Sequence, residues 1–450
     1  MTLDDLLVRH GGAVPRYTSY PPTPCFGQIT DPAPFFARLA ALAPETEISL
    51  YLHVPFCQAL CLFCGCHTTI GRDPDLIARY AASLRREIDL LAEAIGHRVT
   101  LRHVHWGGGT PSILGPADLI ATMEHLSKCF SFAPGCEIAI ELDPRRASPA
   151  LLAALRAMGV TRASLGVQDF DPRVQEAVKR IQPAALVAGV IETLRGAGIG
   201  SINLDLMYGL PYQSATSVAA TASQAVSLHP DRLAVFGYAH VPWLMAHQRL
   251  LPENELPQAR ARYEQQQAVA DVLTSAGYQP IGLDHFARPD DALVEAAKAR
   301  RLKRNFQGYT DDAAPTLLGL GASAISSFAD AYAQNTARIG EWMRAVESGR
   351  LPVQRGLRLS PDDLLRRDVI EQLMCFLEVD LADLAASHST PLAFLLAPEL
   401  ESFAADGLIR WDGRHLAVTQ AGRPFLRTIA AAFDAVTPKQ SAIPRYSRAF

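Results

Sequence analysis

The stretch CQALCLFC at residues 57–64 places three thiols on one short segment, and a fourth, Cys66, follows two positions later. Three thiolates on such a loop can hold three corners of a cubane iron–sulfur cluster, whereas clusters used only for electron transfer usually take four cysteine ligands. With three protein ligands, one iron of the cluster stays open to a substrate. The loop directly follows a run at 47–54 that is typical of a strand.

Zinc is the main alternative for these cysteines, because CxxC pairs are common in zinc sites and His53 and His67 flank the run. Tetrahedral zinc, however, usually draws its ligands as two pairs from separated segments, which the crowded thiols at 57–66 fit poorly. A free cysteine can also act as a small buried apolar residue. That role suits the isolated cysteines, which are Cys25, Cys129, Cys136 and Cys375.

The composition of the chain is that of an ordinary soluble globular protein. Its 450 residues exceed the size at which one hydrophobic core normally stops growing, which predicts a large catalytic domain and a smaller one. The net charge of −4 gives no overall basic surface for nucleic acid. No segment reaches the ~20 apolar residues of a membrane span, and no secretory signal opens the chain. Clustered thiols fit a reducing compartment. We therefore expect a cytoplasmic protein that binds no nucleic acid.

Strand-like and helix-like segments alternate between residues 47 and 245. The predicted strands are 47–54, 102–106, 137–142, 161–167, 201–206 and 233–240. The predicted helices are 73–95, 116–129, 149–158, 183–198 and 214–228. Six βα units predict an α/β fold with a parallel sheet, either open or closed into a partial (β/α)6 barrel.

The pattern changes after residue 257. A long helix is predicted near 257–276, followed by a strand-like segment at 278–286 and a basic stretch at 298–304. Further helices precede two short runs within 407–419 that meet at an Asp-Gly turn, which resembles a winged-helix end.

The helical pattern pauses between Gly349 and Pro361, and this pause suggests a domain boundary. We divide the chain into an N-terminal arm at 1–45 that contributes to the substrate site, a catalytic domain with its extension at 46–355, and a smaller, mainly helical, winged-helix-like C-terminal domain at 356–450.

Polar and glycine-rich motifs follow several predicted strands, and parallel α/β folds bind ligands at the carboxyl ends of their strands. WGGGTP at 106–111 ends the second strand, where glycines let the backbone approach a ligand, although a simple turn has the same composition. Glu141 closes the third strand and could bond a ribose or an ammonium group, or simply be solvated. Gln168 and Asp205 lie at later strands. Arg180 lies between these two residues in the sequence, and its planar guanidinium group is suited to binding a carboxylate. Individually, each of these residues is more often structural than functional.

The CxxxCxxC spacing resembles that of the radical S-adenosylmethionine (SAM) enzymes. In that family the open iron chelates the amino and carboxylate groups of SAM, and an electron from the cluster cleaves SAM to methionine and a 5′-deoxyadenosyl radical. The chain as a whole resembles the oxygen-independent coproporphyrinogen III oxidase family of heme (porphyrin) biosynthesis. The segments that carry this resemblance are PRYTSYP at 15–21, the CxxxCxxCGC loop, DHFARPDD at 284–291 and RNFQGYT at 304–310.

The resemblance implies a role for each matching residue. Cys57, Cys61 and Cys64 would bind a [4Fe-4S] cluster. The first SAM site would comprise Tyr51, Gly108, Glu141 and Ile325. A second SAM would use Phe63, Gly109, Thr110, Gln168, Arg180, Asp205 and Ala239, with Gln307 a weaker candidate nearby. Cys66 belongs to the family pattern without being a cluster ligand, and it is the candidate catalytic residue, with no role assigned.

The implied reaction is the anaerobic oxidative decarboxylation of two propionates of coproporphyrinogen III to vinyl groups, which gives protoporphyrinogen IX. A small reductant protein such as flavodoxin or ferredoxin and an unknown electron acceptor would be partners, and we expect a monomer. The four substrate carboxylates need local cations. The candidates are Arg16 and some of Lys298, Arg300, Arg301, Lys303 and Arg304, although the run at 298–304 is also typical of a solvated helix face.

Two other functions share the radical SAM machinery. A related branch of the superfamily is a heme chaperone without dehydrogenase activity, but it lacks the fourth cysteine and the motif at 304–310, both of which are present here. A radical SAM methyltransferase acting on another tetrapyrrole is the second alternative. The sequence therefore favours the dehydrogenase.

Overall fold

The computed structural model describes residues 2–437 and 446–448. Its strands are β1 Gly27–Gln28, β2 Glu47–Val54, β3 Phe56–Cys57, β4 Thr69–Ile70, β5 Thr100–Gly108, β6 Ser131–Leu142, β7 Arg162–Gln168, β8 Ser201–Tyr208, β9 Arg232–Gly237, β10 Gln279–Ile281, β11 His285–Ala287, β12 Lys303–Asn305, β13 Gly308–Thr310, β14 Leu317–Leu320, β15 Ile325–Phe328, β16 Ala331–Asn335, β17 Val353–Arg358, β18 Glu378–Asp380, β19 Ile409–Trp411 and β20 His415–Val418. Its α-helices are α1 Leu3–His10, α2 Ala33–Ala40, α3 Pro74–Ile95, α4 Gly115–Cys129, α5 Pro149–Ala157, α6 Pro172–Ala177, α7 Ala184–Gly196, α8 Ala215–Ser227, α9 Ala259–Ser275, α10 Ala292–Lys298, α11 Ile339–Glu347, α12 Pro361–Phe376, α13 Leu381–Ser387, α14 Glu399–Ala405 and α15 Leu426–Ala431.

One mixed sheet of 13 strands dominates the fold, in the order β1-β17-β16-β15-β14-β2-β5-β6-β7-β8-β9-β11-β10. The six predicted parallel strands are its centre, and each pairs in parallel with the next from β2 to β9. Because the two ends of the order do not pair with each other, the barrel is open. The predicted α/β fold with a partial (β/α)6 barrel is therefore confirmed.

Segments late in the chain complete the sheet in ways that the sequence did not reveal. β14 pairs in parallel with β2 and so adds a seventh parallel strand. α9 packs against α8 as the sixth helix of the βα repeat. The single strand predicted at 278–286 is wrong, because β10 and β11 form an antiparallel hairpin there. The chain reverses at Gly282, which has φ 52° and lies against the ring of Tyr309.

Alternate residues of each central strand point to opposite faces. In β2, Ile48, Leu50 and Leu52 are at most 1% exposed and pack in one apolar cluster with the outer helices. Ser49 and Tyr51 lie on the other face and line an internal cavity. The helices therefore stabilise the sheet from outside and leave its inner face to polar side chains.

α3 follows the cysteine loop and begins where the sequence predicts. The Asp73 side chain accepts a hydrogen bond from the Asp75 amide, Pro74 occupies the first turn, and the helix ends at left-handed Gly96. Its apolar stripe, which includes Leu84 and Ile88, is buried against the sheet. The helix thus has its own start and stop signals as well as a buried face.

A buried carboxylate on α3 ties this helix to the β14–β16 side of the sheet. Glu87 is 1% exposed and accepts hydrogen bonds from the Gly321 amide at 2.6 Å, Asn335 Nδ2 at 2.7 Å and Trp342 Nε1 at 3.2 Å. Burial raises the pKa of Glu87 to about 7, against these three hydrogen bonds, which lower it. The Tyr80 hydroxyl, about two helical turns earlier, donates to the His53 carbonyl at the end of β2. Together these bonds fix α3 next to the strand that leads into the cysteine loop.

A smaller unit follows the main sheet. α12 begins with a capping box at Ser360, and β18, β20 and β19 form a three-stranded antiparallel sheet. Three residues of the N-terminal arm, Leu7, Tyr17 and Tyr20, are buried in the same apolar cluster as α12. β17 spans Val353–Arg358 and pairs in the main sheet, while the division of the chain at 355/356 stays a prediction. Within the described ranges, none of the helices is both long and apolar enough to cross a bilayer.

The pKa of Glu87 predicts a pH dependence of stability. Because the folded-state pKa lies above its ordinary value of 4.5, the folded protein holds a proton that the unfolded chain releases, so this stabilisation is lost as pH rises through about 7. Relative to Glu87→Gln, the wild type should lose about 2 to 3 kcal/mol of unfolding free energy between pH 5 and pH 8. Denaturant unfolding of both proteins at each pH measures this difference. An equal difference at both pH values would contradict it.

Candidate active site

The cysteine loop lies at the carboxyl end of β2 and is held at both of its ends. β3 and β4 pair in parallel across its base, and the Gly71 amide donates to the Cys57 carbonyl at 2.9 Å. In its middle, the Leu62 amide donates to the Val178 carbonyl at 3.0 Å. The loop is therefore fixed against both the sheet and the segment after α6.

Each thiol of the loop has its own hydrogen-bond donors. Cys57 Sγ lies 3.3 Å from Thr68 Oγ1 and 3.4 Å from Thr110 Oγ1. Cys64 Sγ accepts from the Cys66 amide at 3.4 Å. Such donors stabilise a thiolate, which is the form of cysteine that binds metals. Cys66 itself is exposed.

Cys61 is buried beside two arginines. Arg180 Nη1 lies 3.4 Å and Arg145 Nη2 3.9 Å from Cys61 Sγ. Arg180 also donates through Nε to the Gly166 carbonyl at 3.1 Å, and Asp143 lies 3.7 Å from its Nη1. The guanidinium of Arg180 is thus already engaged by protein groups, and its nearest reactive neighbour is a cysteine.

The spacing of the thiols does not suit a single zinc ion. Zn–S bonds of about 2.3 Å in a tetrahedral site place two sulfurs only about 3.8 Å apart. In the described part of the chain, the one group of three metal-binding side chains whose ligand atoms lie within 4.8 Å of one another is Asp89, His125 and Cys129, on α3 and α4. No three thiols of the loop meet that limit. A cubane spreads its ligands over separate irons, so the wider arrangement fits a cluster.

Three glycines at the end of β5 allow the backbone there to pack closely against Glu141, the end of β2 and the start of the cysteine loop. A Cβ on Gly107 would lie 2.8 Å from Glu141 Oε1, and one on Gly109 would lie 2.6 Å from the Phe56 carbonyl oxygen. Gly108 has φ 117°, which side chains rarely tolerate. The amides of Gly109 and Thr110 donate to the carbonyls of Val54 and Phe56. The glycines therefore allow this segment to pack closely against the protein's own backbone, at Val54 and Phe56.

Glu141 lies beside this glycine segment. Its carboxylate accepts from the Gly108 amide at 3.2 Å, and its Oε1 lies 3.2 Å from His105 Nε2. The Tyr51 ring stacks on His105 with ring centroids 5.8 Å apart, and its hydroxyl lies 3.0 Å from His53 Nδ1. Burial lowers the pKa of His53 to about 4, so this ring is neutral at physiological pH.

A cavity of about 640 Å³ opens next to the loop, on the inner face of the sheet. The predicted site residues that line it are Tyr51, Phe63, Cys64, Cys66, Glu141, Gln168, Asp205, Ala239 and Gln307. Those that do not line it are Cys57, Cys61, Gly108, Gly109, Thr110, Arg180 and Ile325. All of the second group except Ile325 belong to the cysteine loop or contact it or Glu141. Ile325 lies on β15, two strands away from β2, and packs in the apolar cluster of Phe26 and Tyr332.

Several polar groups on the cavity wall have incomplete hydrogen bonding. The buried Oε1 atoms of Gln168 and Gln307 have no hydrogen-bond partner within the described protein, and Gln168 has a left-handed backbone, φ 70°. Asp205 accepts from Ser164 Oγ at 3.1 Å and Asn203 Nδ2 at 2.8 Å. Burial, and then the charge of Glu141, raise the pKa of Asp205 to about 6. Orphaned acceptors and a buried carboxylate make this wall suitable for a ligand with N–H or O–H groups and positive charge.

The predicted basic residues divide into two groups. Arg16 and Arg304 line the cavity. The remainder are exposed, away from the cavity wall: Lys298 pairs with Glu295, Arg300 with Glu378 and Lys303 with Glu371, and Arg301 is exposed beside them. Of the run at 298–304, only Arg304 reaches the cavity.

The sequence analysis missed a set of polar residues deeper in the cavity. They are His103, Glu137, Arg162, Arg232 and His285. Arg162 Nη2 donates to Glu137 Oε1 at 2.6 Å and, although burial opposes it, Arg162 and His103 hold the pKa of Glu137 well below its usual range. A signal for them exists, because polar residues recur at alternate positions of several central strands, such as Glu137 and Glu141 in β6 and Asn203 and Asp205 in β8. Strands buried on both faces normally read as continuous apolar runs.

Proteins of known name match this chain over nearly its full length. An oxygen-independent coproporphyrinogen III oxidase from Bradyrhizobium diazoefficiens is 47% identical over 96% of this chain and 96% of its own length. The protein of that name from Escherichia coli K12 is 39% identical over 98% of this chain and 97% of its own. The solved structure of the Escherichia coli coproporphyrinogen III oxidase HemN, described as a radical SAM enzyme, superposes with a TM-score of 0.89 at 38% identity and covers 97% of this chain and 100% of that one.

Two family models match separate parts of the chain. The Radical SAM superfamily matches residues 51–225, which hold the cysteine loop and the first five central strands. The HemN C-terminal domain matches residues 359–425. With relatives of this identity over nearly its full length, the chain belongs to the oxygen-independent coproporphyrinogen III oxidase family of the radical SAM superfamily.

Proposed function

We propose that this protein converts coproporphyrinogen III to protoporphyrinogen IX without oxygen, by oxidative decarboxylation of two propionates to vinyl groups. In each, the carbon next to the pyrrole ring loses one hydrogen atom, the carboxylate leaves as CO2, and one electron passes to an acceptor. The observation that carries the proposal is a single cavity with the cysteine loop at one side and the cationic Arg16 and Arg304 in its wall. The names of the full-length relatives support the same substrate.

Membership of the radical SAM superfamily implies a [4Fe-4S] cluster and SAM, which together supply a 5′-deoxyadenosyl radical that abstracts hydrogen. The residues present fit these groups. Cys57, Cys61 and Cys64 would hold the cluster, since each thiol has hydrogen-bond donors and no three loop thiols are close enough for one ion. Arg180 and Arg145 would offset the negative charge of the thiolates from the side of Cys61.

We further infer that two SAM molecules bind beside the loop. The first would lie against Tyr51, Gly108 and Glu141, where the carboxylate suits an ammonium group. Ile325, on a strand two positions from β2, stays a prediction from the sequence for this site. The second would lie against Phe63, Gln168, Asp205, Ala239 and Gln307, whose orphaned acceptors are complementary to its hydroxyl and amino groups. For that second molecule, Gly109, Thr110 and Arg180 would act by shaping the loop.

The N-terminal arm forms part of the cavity wall, so the proposed substrate site is closed on several sides. Arg16 and Thr18 of the arm line the same cavity as the central strands. Phe236 and Tyr238 add aromatic surface. Such walls restrict water around a reactive group, which protects it from side reactions. The protein reductant, the final acceptor and a monomeric state remain predictions from the sequence.

The activity itself can be tested under anoxia. The reconstituted protein, supplied with dithionite, SAM and coproporphyrinogen III, should form protoporphyrinogen IX and 5′-deoxyadenosine together, measured by chromatography. Cys61→Ala should form neither. Deoxyadenosine without protoporphyrinogen would place the substrate elsewhere, and neither product combined with stable heme binding would indicate a chaperone.

Iron content tests the cluster ligands separately. Alanine at Cys57, Cys61 or Cys64 should reduce bound iron from about four per chain to nearly none, because two thiolates cannot retain the cluster. Cys66→Ser should keep its iron. Cys136→Ala removes a half-buried thiol of β6, outside the cysteine loop, and serves as the matched control. Iron analysis and visible absorbance report the result; loss of iron in Cys66→Ser with retention in Cys64→Ala would reverse the two assignments.

SAM stoichiometry tests the second site. Equilibrium dialysis should find two SAM molecules per wild-type chain and one in Asp205→Asn. Because burial raises the pKa of Asp205 to about 6, its negative charge appears only as pH rises through that value, so the second SAM, which carries net positive charge, should bind more weakly at pH 5 than at pH 7.5. Asp205→Asn should lack this pH dependence. Two unchanged equivalents in the variant would remove Asp205 from the site.

A further inference from the structure

Four arginines from separate parts of the chain meet beside the cavity; we call them the arginine cluster, and its members are Arg16 of the N-terminal arm, Arg262 of α9, Arg304 of β12 and Arg427 of α15. Arg16 and Arg304 line the main cavity. Arg16, Arg262 and Arg427 line an adjoining cavity of about 30 Å³, which is room for one small polar group. Arg16 lies between the two cavities.

The arginine cluster carries more positive charge than the protein neutralises. In the part of the chain that the structure describes, Asp284 is the one carboxylate that forms an ion pair with any of the four, at 3.6 Å from Arg304 Nη1. Asp284 also accepts from His285 Nδ1 at 2.8 Å. Burial alone would raise the pKa of Asp284, but Arg304, His285 and Arg16 hold it well below its usual range, so it is fully ionised. Within the described residues, a single carboxylate is thus in ion-pair contact with the four guanidinium groups, and it contacts only Arg304.

The other partners of these arginines are neutral backbone carbonyls. Arg16 Nη2 donates to the Gly237 carbonyl at 2.7 Å, and Arg262 Nη2 donates to the Tyr238 carbonyl at 2.8 Å. Arg427 Nε donates to the Pro15 carbonyl at 3.0 Å. Such bonds orient a guanidinium without offsetting its charge. Burial, followed by repulsion from Arg16, lowers the pKa of Arg427 to about 9.

Part of the arginine cluster also lacks hydrogen-bond partners. The Arg304 side chain is 4% exposed, and its Nε and Nη1 make no hydrogen bond, although the side chain lines the main cavity. Nε of Arg262 is likewise buried and unpartnered. Buried N–H groups of a cation without acceptors are costly, and a carboxylate ligand would satisfy both the charge and the hydrogen bonds.

We propose that the arginine cluster holds the two propionate carboxylates that the tetrapyrrole keeps through the reaction. The inference rests on the proposed function. It adds which of the four substrate carboxylates bind to the arginine cluster. A guanidinium pair stabilises a carboxylate in its ionised ground state, and this would oppose the departure of that same carboxylate as CO2. A strongly cationic anchor is therefore suited to the propionates that do not react, while the reacting ones lie toward the cysteine loop.

Binding of porphyrins, measured by fluorescence titration without SAM, tests the assignment apart from catalysis. Protoporphyrin IX carries only the two retained propionates, so Arg16→Gln and Arg262→Gln should each weaken its binding at least tenfold, and should weaken coproporphyrin III to a similar degree. The dimethyl ester of protoporphyrin IX should bind wild type weakly and be insensitive to both substitutions. Arg16→Lys, which keeps the charge, should restore most of the affinity.

Arg301→Gln is the matched control, because it removes the same charge from an exposed position outside the cavity and should leave all three affinities unchanged. Thermal melting excludes variants that fail to fold, and the two independent sites keep the test valid if one does. If the variants weaken coproporphyrin III but not protoporphyrin IX, or if the diester binds as tightly as the diacid, the assignment is overturned. Arginine-dependent porphyrin binding by a wild type that forms no protoporphyrinogen would instead refute the proposed function alone.

Discussion

The contact between the glycine-ended strand β5 and the cysteine loop is the constraint on which the rest of the site depends. Gly109 leaves no room for a side chain, so the backbone after β5 lies directly on Phe56 and Thr68. That contact brings Thr110 to Cys57 and the Gly108 amide to Glu141. Main-chain packing, which is more rigid than side-chain packing, thus sets the position of the thiols. The position of every ligand in the cavity then depends on where the thiols lie.

Helix α3 also holds the strands around the cysteine loop in place. Tyr80 holds the carbonyl of His53 at the end of β2, and Glu87 gathers donors from the far side of the sheet. The use of a buried carboxylate here has a physical cost, since burial opposes its charge, yet it satisfies three donors that apolar side chains could not. The helix therefore links the strand before the loop with β14, the strand that the sequence did not reveal.

The sequence could predict those features of the structure whose signals lie within one short segment of the chain. The thiol spacing and the start of α3 at Asp73 are local, and the structure contains both the loop and the helix as expected. Gln168 and Asp205 could be placed together because parallel strands end at one edge. The arginine cluster could not be predicted as a unit, because its members lie on the N-terminal arm, α9, β12 and α15 and are brought together only by tertiary packing. Of its members, the sequence indicated only Arg16 and Arg304. β14 was missed because four residues with a central glycine carry too little pattern.

The alternation of residues along the central strands determines which substitutions the fold can accept. Their outward residues, such as Leu52 and Leu165, pack against helices and hold the fold, whereas inward residues, such as Ser164, Ala139 and Ala234, face the cavity. The two tasks are thus separated onto alternate positions of one chain. Exchanges at inward positions can therefore reshape the chamber for a bulkier or differently charged molecule at little thermodynamic expense, which makes this wall a natural place for specificity to diverge, or to be redesigned, while the scaffold stays intact.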